Sequence, residues 1–142
     1  MKVFLDTNIL ISGIFFSGNE SRLLSFPNVE LFTSDVALEE LTEVVSRKFA
    51  SLKADSKRIA FQEIYKATGD IHIVSERKSA KYLSEAVALV KGENDQKILA
   101  AVLYIKPDFF VTGDHHFHTA EIKKRVNTIR TIEALKELKI LY

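Results

Sequence analysis

The sequence predicts an α/β fold in which a parallel β-sheet is covered by helices on both faces, a three-layer α/β/α arrangement. Five short segments that read as strands, at residues 3–5, 29–33, 71–74, 109–112 and 126–129, alternate with segments that read as helices. Such alternation favours parallel strands joined by crossover helices and buried on both faces. Composition sets the scale: 142 residues, 46% of them hydrophobic and 27% charged, fit one domain over residues 1–142. At this length folding buries roughly two thirds of the surface of the unfolded chain, so no disulfide or structural zinc is required.

Val3, Phe4 and Leu5 make the first strand, which ends at Asp6, Thr7 and Asn8. A helix is predicted over 9–26, weakened at Gly13 and Gly18 and stopped before Pro27, because a proline drives the preceding residue out of the α region. The second strand, 29–33, leads to Ser34 as the cap of a helix over 35–49 with Ala37, Leu38, Leu41, Val44 and Val45 as its core stripe. A helix over 55–68 follows, with Ile59, Ile64 and Ala67 among its apolar positions and Gly69 at its end. The third strand is 71–74, and helices are predicted over 79–90 and 93–104. Pro107 resets the chain before the fourth strand, 109–112, which ends at Gly113 and Asp114; a strand over 126–129 and a short helix over 132–138 complete it. No repeat, low-complexity stretch or linker interrupts the order.

The absence of Cys excludes thiolate catalysis, Cys-ligated zinc and iron-sulfur clusters, and it fits a reducing compartment. The longest apolar run, 9–16, is broken by Ser12 and Gly13 and falls far short of the ~20 residues a spanning helix needs. Asp6 and Asn8 interrupt what would otherwise be the apolar region of a secretion signal, so a cytoplasmic protein with no membrane segment is expected.

Net charge is +1, but its distribution is uneven. Residues 1–43 hold two basic and seven acidic side chains, and residues 44–92 hold ten basic and five acidic. This split suits an acidic, cation-holding site beside a surface, from Arg47 to Lys91, that attracts phosphates.

In open α/β sheets ligands bind outside the carboxyl ends of the strands. Asp6 and Asp114 follow the two most apolar strands, which puts both at one edge of the sheet. Asp95 completes an i, i+3, i+4, i+7 stripe with Ile98, Leu99 and Val102, so its carboxylate lies on the packed side of its helix, although Asn94 as cap and the helix dipole offer a plainer reason for an acid there. Of Glu39, Glu40 and Glu43, only Glu40 lies at the edge of the Leu41-centred stripe; the other two fall about 160° away. Carboxylates brought together repel by about 4 kcal/mol per pair at 4 Å and an effective dielectric of ~20. Such a cluster needs protons or cations, and with oxygen ligands alone Mg²⁺ or Mn²⁺ is the natural occupant.

The segments Val-Phe-Leu-Asp-Thr-Asn at the amino terminus, Leu38-Glu39-Glu40-Leu41, Asn94 to Ala101 and Phe110-Val111-Thr112-Gly113-Asp114 together resemble the PIN-domain family of metal-dependent ribonucleases, especially small prokaryotic members related to the VapC toxins of toxin-antitoxin systems. The resemblance implies a five-stranded parallel sheet with an acidic pocket that binds one or two Mg²⁺ or Mn²⁺ ions and cuts RNA. It assigns Asp6, Glu40, Asp95 and Asp114 to the four acidic, metal-holding and catalytic positions, and Asn8 and Thr112 to polar positions beside them that hold a carboxylate or water in place. It also implies an antitoxin protein as partner and, in many members, a homodimer. A departure lies two residues after the last acid, where many relatives carry Asp or Asn and this chain has His116. His115, His116 and His118 suggest a transition-metal site, but the sequence offers no evident third ligand.

Two other readings compete with a ribonuclease. A Mg²⁺-dependent phosphohydrolase of small phosphoesters lacks support, since Asp-Thr-Asn is not an Asp-x-Asp pair and no Gly-rich phosphate loop is present. A binding module that keeps the fold without turnover is the second, and four retained acids argue against it.

Overall fold

The structure, a computed structural model, describes residues 1–51 and 53–141. In chain order its elements are β1 (Lys2–Leu5), α1 (Thr7–Phe15), α2 (Asn19–Leu24), β2 (Glu30–Ser34), α3 (Asp35–Lys48), α4 (Ala54–Thr68), β3 (Ile71–Val74), α5 (Glu76–Ser79), α6 (Leu83–Leu89), α7 (Glu93–Ile105), β4 (Phe109–Val111), α8 (Ala120–Lys123), β5 (Thr128–Ile129) and α9 (Thr131–Leu141). Single 3₁₀ turns lie at Ala80–Tyr82 and His115–Phe117.

The five strands form one parallel sheet in the order β3-β2-β1-β4-β5, with Phe4 beside Phe32 on one side and Phe110 on the other. The chain runs outward from β1 to β3, then returns over the sheet to place β4 against the free edge of β1. Strand order therefore reverses between β1 and β4, and the crevice that such a reversal opens lies at their carboxyl ends.

Successive side chains of a strand point to opposite faces, and the two cores follow that rule. Val3, Leu5, Leu31, Phe109 and Val111 pack with Leu10, Leu23, Ile64 and Leu135 from α1, α2, α4 and α9. Phe4, Phe32 and Phe110 pack on the other face with Ala86, Leu99, Phe117 and Ile122. The three-layer α/β/α arrangement expected from the strand-helix alternation is thus present, and the site between β1 and β4 rests on packed apolar layers.

The structure departs from the predicted elements where local packing overrides periodicity. The helix predicted over 9–26 is a pair, α1 and α2, joined by extended residues at Phe16 and Gly18. Gly13 makes the fold-back feasible: a Cβ there would sit 2.3 Å from Leu24 Cδ1, so α2 packs against bare backbone. In α4 Ile64 is buried and Ala67 half-buried as expected, but Ile59 is exposed, because Ala60, one helical turn before Ile64, takes the buried place. The helix predicted to start at Ser79 starts at Glu76, where Ser75 Oγ accepts from the Lys78 amide, and the turn at Ala80–Tyr82 splits it. β5 contracts to Thr128–Ile129, since the Val126 amide donates back to the Ile122 carbonyl of α8 at 2.9 Å rather than to a neighbouring strand. Ser34 caps α3 as predicted, its hydroxyl accepting from the Ala37 amide at 3.0 Å.

Candidate functional site

Asp6 leaves β1 at its carboxyl end, and its amide donates to the Val111 carbonyl of β4 at 3.1 Å, which ties the residue to the strand-order reversal. It is also the N-cap of α1: one carboxylate oxygen accepts from the Thr7 amide at 2.8 Å. The other accepts from the Thr112 hydroxyl at 2.6 Å. Only 5% of Asp6 is exposed. Burial therefore pushes its carboxyl up from 3.8 to about 6, against the lowering effect of the Thr112 and Thr7 bonds, and the negative charges of Asp114 and Asp95 raise it further.

Asp95 stands in the first turn of α7, whose N-cap is Gly92 at φ 92°, rather than Asn94. Ile98, Leu99 and Val102, the remainder of its stripe, are buried, and Asp95 itself is half-buried. Burial raises its pKa, the charges of Asp114 and Glu40 raise it further, and His116 lowers it. Glu40 is half-buried while Glu39 and Glu43 are exposed, which matches its place at the edge of the α3 stripe. The Thr7 hydroxyl donates to Glu40 Oε2 at 3.1 Å. Asp114 follows β4 and opens the 3₁₀ turn; its amide donates to Thr112 Oγ1 at 3.0 Å, and its Oδ1 accepts from the His116 amide at 2.9 Å.

Four predicted acids, contributed by the ends of β1 and β4 and by α3 and α7, thus lie in one electrostatic neighbourhood at the strand-order reversal. Among the described residues, neither Lys nor Arg forms an ion pair with any of them. Two raised carboxyls, with His115 and His116 beside Asp114 as the only basic side chains paired with the four acids among the described residues, make a donor set that fits a hard divalent cation.

Thr112, one of the two predicted polar neighbours, holds Asp6 directly. Asn8, the other, is exposed and lines an adjoining cleft of about 340 Å³ with Asn19, Glu20, Gly113 and Arg130. Thr7, by contrast, fixes Glu40 through its hydroxyl. A second cleft of about 530 Å³ lies on the far side of Asp114, lined by Lys91, Gly92, Asp95, His115, His116 and Thr119. Arg130 donates to the Gly113 carbonyl at 3.2 Å. Neither Arg130 nor its place beside the acids was foreseen, because its proximity follows from the β4-β5 pairing rather than from any local motif.

The family model for the PIN domain matches residues 2–116 of this chain. No curated protein shows a significant sequence match. Solved structures with a similar fold include a chain of VapBC2 from Rickettsia felis bound to a DNA fragment from their promoter, with a TM-score of 0.70 and 21% identity over 92% of this chain and 98% of that one. A chain of VapBC-1 from nontypeable Haemophilus influenzae gives a TM-score of 0.67 and 19% identity, covering 93% and 99%. One of FitAcB from Neisseria gonorrhoeae gives 0.63 and 20%, covering 92% and 98%.

Proposed function

Because this chain belongs to the PIN-domain family, whose model matches residues 2–116, we propose that it is a metal-dependent endoribonuclease that hydrolyses RNA phosphodiester bonds, acting as the toxin of a toxin-antitoxin pair. The observation that carries the reading is the convergence of Asp6, Glu40, Asp95 and Asp114 at the β1/β4 carboxyl ends without a paired Lys or Arg. When bound there, Mg²⁺ or Mn²⁺ would lower the pKa of a water and offset charge developing on the phosphate. Asp6, Asp95 and Asp114 are the holding residues. Glu40 either completes that set or orients the attacking water, kept in place by Thr7. Thr112 keeps one Asp6 oxygen engaged, so the carboxylate enters the reaction in a single orientation.

Lys91 on one side of Asp114 and Arg130 on the other supply positive charge where the flanking phosphates would run. Lys91 belongs to the basic segment expected to attract RNA. The affinity for a short single-stranded RNA is expected to fall as salt rises, with a log-log slope near −0.7 for each phosphate neutralised. Substituting both residues by Ala should flatten the slope by about 1.4, measured by fluorescence anisotropy in 50 to 300 mM salt; an unchanged slope removes them from the RNA path.

The neighbours described as VapBC2 and VapBC-1 support a protein antitoxin as partner; among the described residues no helix is long and apolar enough to cross a membrane. The test is cleavage of an end-labelled structured RNA pool with Mn²⁺, Mg²⁺ or EDTA. Metal-dependent cutting that leaves 5′-phosphate and 3′-hydroxyl ends is expected. Ends bearing only 2′,3′-cyclic phosphate would mean attack by the ribose hydroxyl and overturn the mechanism. Turnover of a phosphomonoester with none of RNA would replace the ribonuclease by a small-molecule phosphohydrolase.

A further inference from the structure

The turn that follows β4 brings two imidazoles onto one carboxylate oxygen. His116 Nδ1 lies 2.8 Å from Asp114 Oδ1 and His115 Nδ1 lies 3.9 Å from the same atom. The two rings face each other with centroids 4.2 Å apart and planes 33° from parallel, and all three donor atoms fall within 4.8 Å of one another. We propose that Asp114, His115 and His116 form a binding site for a transition-metal ion of the Zn²⁺ class, distinct in donor chemistry from the all-oxygen pocket beside it.

Ligand chemistry points to that class. Two nitrogens and one oxygen suit Zn²⁺, Co²⁺, Ni²⁺ or Cu²⁺, whereas Mg²⁺ prefers oxygen and retains its waters. Geometry agrees, since two ligands about 2.1 Å from a tetrahedral ion stand about 3.4 Å apart and the observed 2.8 and 3.9 Å bracket that spacing. The remaining coordination positions would be taken by water, because 83% of the His115 side chain and 59% of the His116 side chain are exposed.

The turn is held from both ends, so the ligands are pre-positioned rather than gathered by the ion. Phe117, fully buried, packs edge-to-face on Phe110 at 5.1 Å. His118 turns away from the cluster, its Nε2 lying 2.8 Å from the Thr112 carbonyl oxygen. The third ligand that the three histidines lacked in sequence is therefore Asp114, and the histidine that drops out is His118. Because Asp114 also belongs to the acidic pocket, an ion here and a hard cation there draw on one carboxylate.

The site is tested without RNA, so its failure is separate from failure of the nuclease reading. Untagged protein is titrated with Co²⁺ at pH 7.5 and followed by visible absorption, in the wild type, in Asp6→Asn, and in a His115→Gln, His116→Gln double variant whose fold is checked by circular dichroism. With millimolar Mg²⁺ present throughout to occupy the acidic pocket, one Co²⁺ is expected to bind wild type and Asp6→Asn alike, to be displaced by equimolar Zn²⁺ but not by that Mg²⁺, and to be lost in the folded double variant. No binding to wild type, binding that survives loss of both imidazoles, or binding that disappears with Asp6→Asn would each overturn the assignment.

Discussion

Asp6→Asn is expected to abolish RNA cleavage while making the metal-free protein more stable at neutral pH. The two effects share a cause. The Asp6 carboxyl is raised from 3.8 to about 6, chiefly by burial. A raised folded-state pKa stabilises the fold fully below pH 3.8, and this contribution is lost as pH climbs through 6. By pH 8 the carboxylate is charged in both states and the fold bears the desolvation of a buried anion. Over pH 4 to 8, wild type should therefore lose about 2 kcal/mol that the variant retains. Urea denaturation in EDTA at the two ends of this range measures the difference. Mg²⁺ or Mn²⁺ at millimolar concentration should recover the loss in wild type and do little for Asp6→Asn. Cleavage should drop at least ~100-fold, since the ion's stabilisation of transition-state charge is worth several kcal/mol. If the variant proves less stable than wild type at pH 8, the bonds from Thr7 and Thr112 outweigh the burial of charge and the pocket has no need of a cation. If it still cuts RNA at the wild-type rate, the chemistry lies elsewhere.

That prediction rests on a residue whose place is legible in the sequence. Asp6 and Asp114 end the strands 3–5 and 109–112, and apolar runs so short and unbroken have little choice but the sheet centre. Glu40 and Asp95 are readable by helix geometry alone: both sit on or beside a stripe whose other members, Leu41 and Val45 or Ile98, Leu99 and Val102, are buried. What the sequence could not disclose depends on where turns begin. Thr7 reaches Glu40 because α1 starts at Thr7, two residues ahead of the predicted Ile9, with Asp6 as its cap. Asp95 stands third in α7 rather than first because Gly92, at positive φ, takes the capping place in preference to Asn94. The α1/α2 pair turns on the absence of one Cβ at Gly13, and no periodicity records a contact that is defined by a missing atom. The histidine cluster is of the same kind. His115, His116 and His118 are equivalent as letters, and only the 3₁₀ turn, with Phe117 driven into the core, selects the first two.

Phe117→Ala is accordingly expected to be the most destabilising single change near the site. Phe117 is fully buried; its ring meets Phe110 at 5.1 Å and 70°, and Phe110 meets Phe4 at 5.8 Å and 83°. The three rings run from the turn through β4 to β1 on one face of the sheet. Truncating the first removes transfer energy and leaves a cavity, together about 3 to 5 kcal/mol, and the lost edge-to-face contact adds to it. For a chain of this size that should lower Tm by about 10 °C or more, read by calorimetry in EDTA. Phe117→Leu retains most of the volume and should recover more than half of the loss. The local effect separates anchoring from general weakening. At 10 °C, where the Ala variant is still folded, its turn is no longer pinned between Phe117 and the Thr112 carbonyl, and Asp114 with both imidazoles becomes mobile. Co²⁺ affinity and RNA cleavage should both fall in the Ala variant, whereas an equally destabilising change on the opposite face, Leu135→Ala, should leave Co²⁺ affinity unchanged. Equal losses in the two variants would mean that the turn is held by the fold as a whole and that Phe117 has no special part in aiming Asp114.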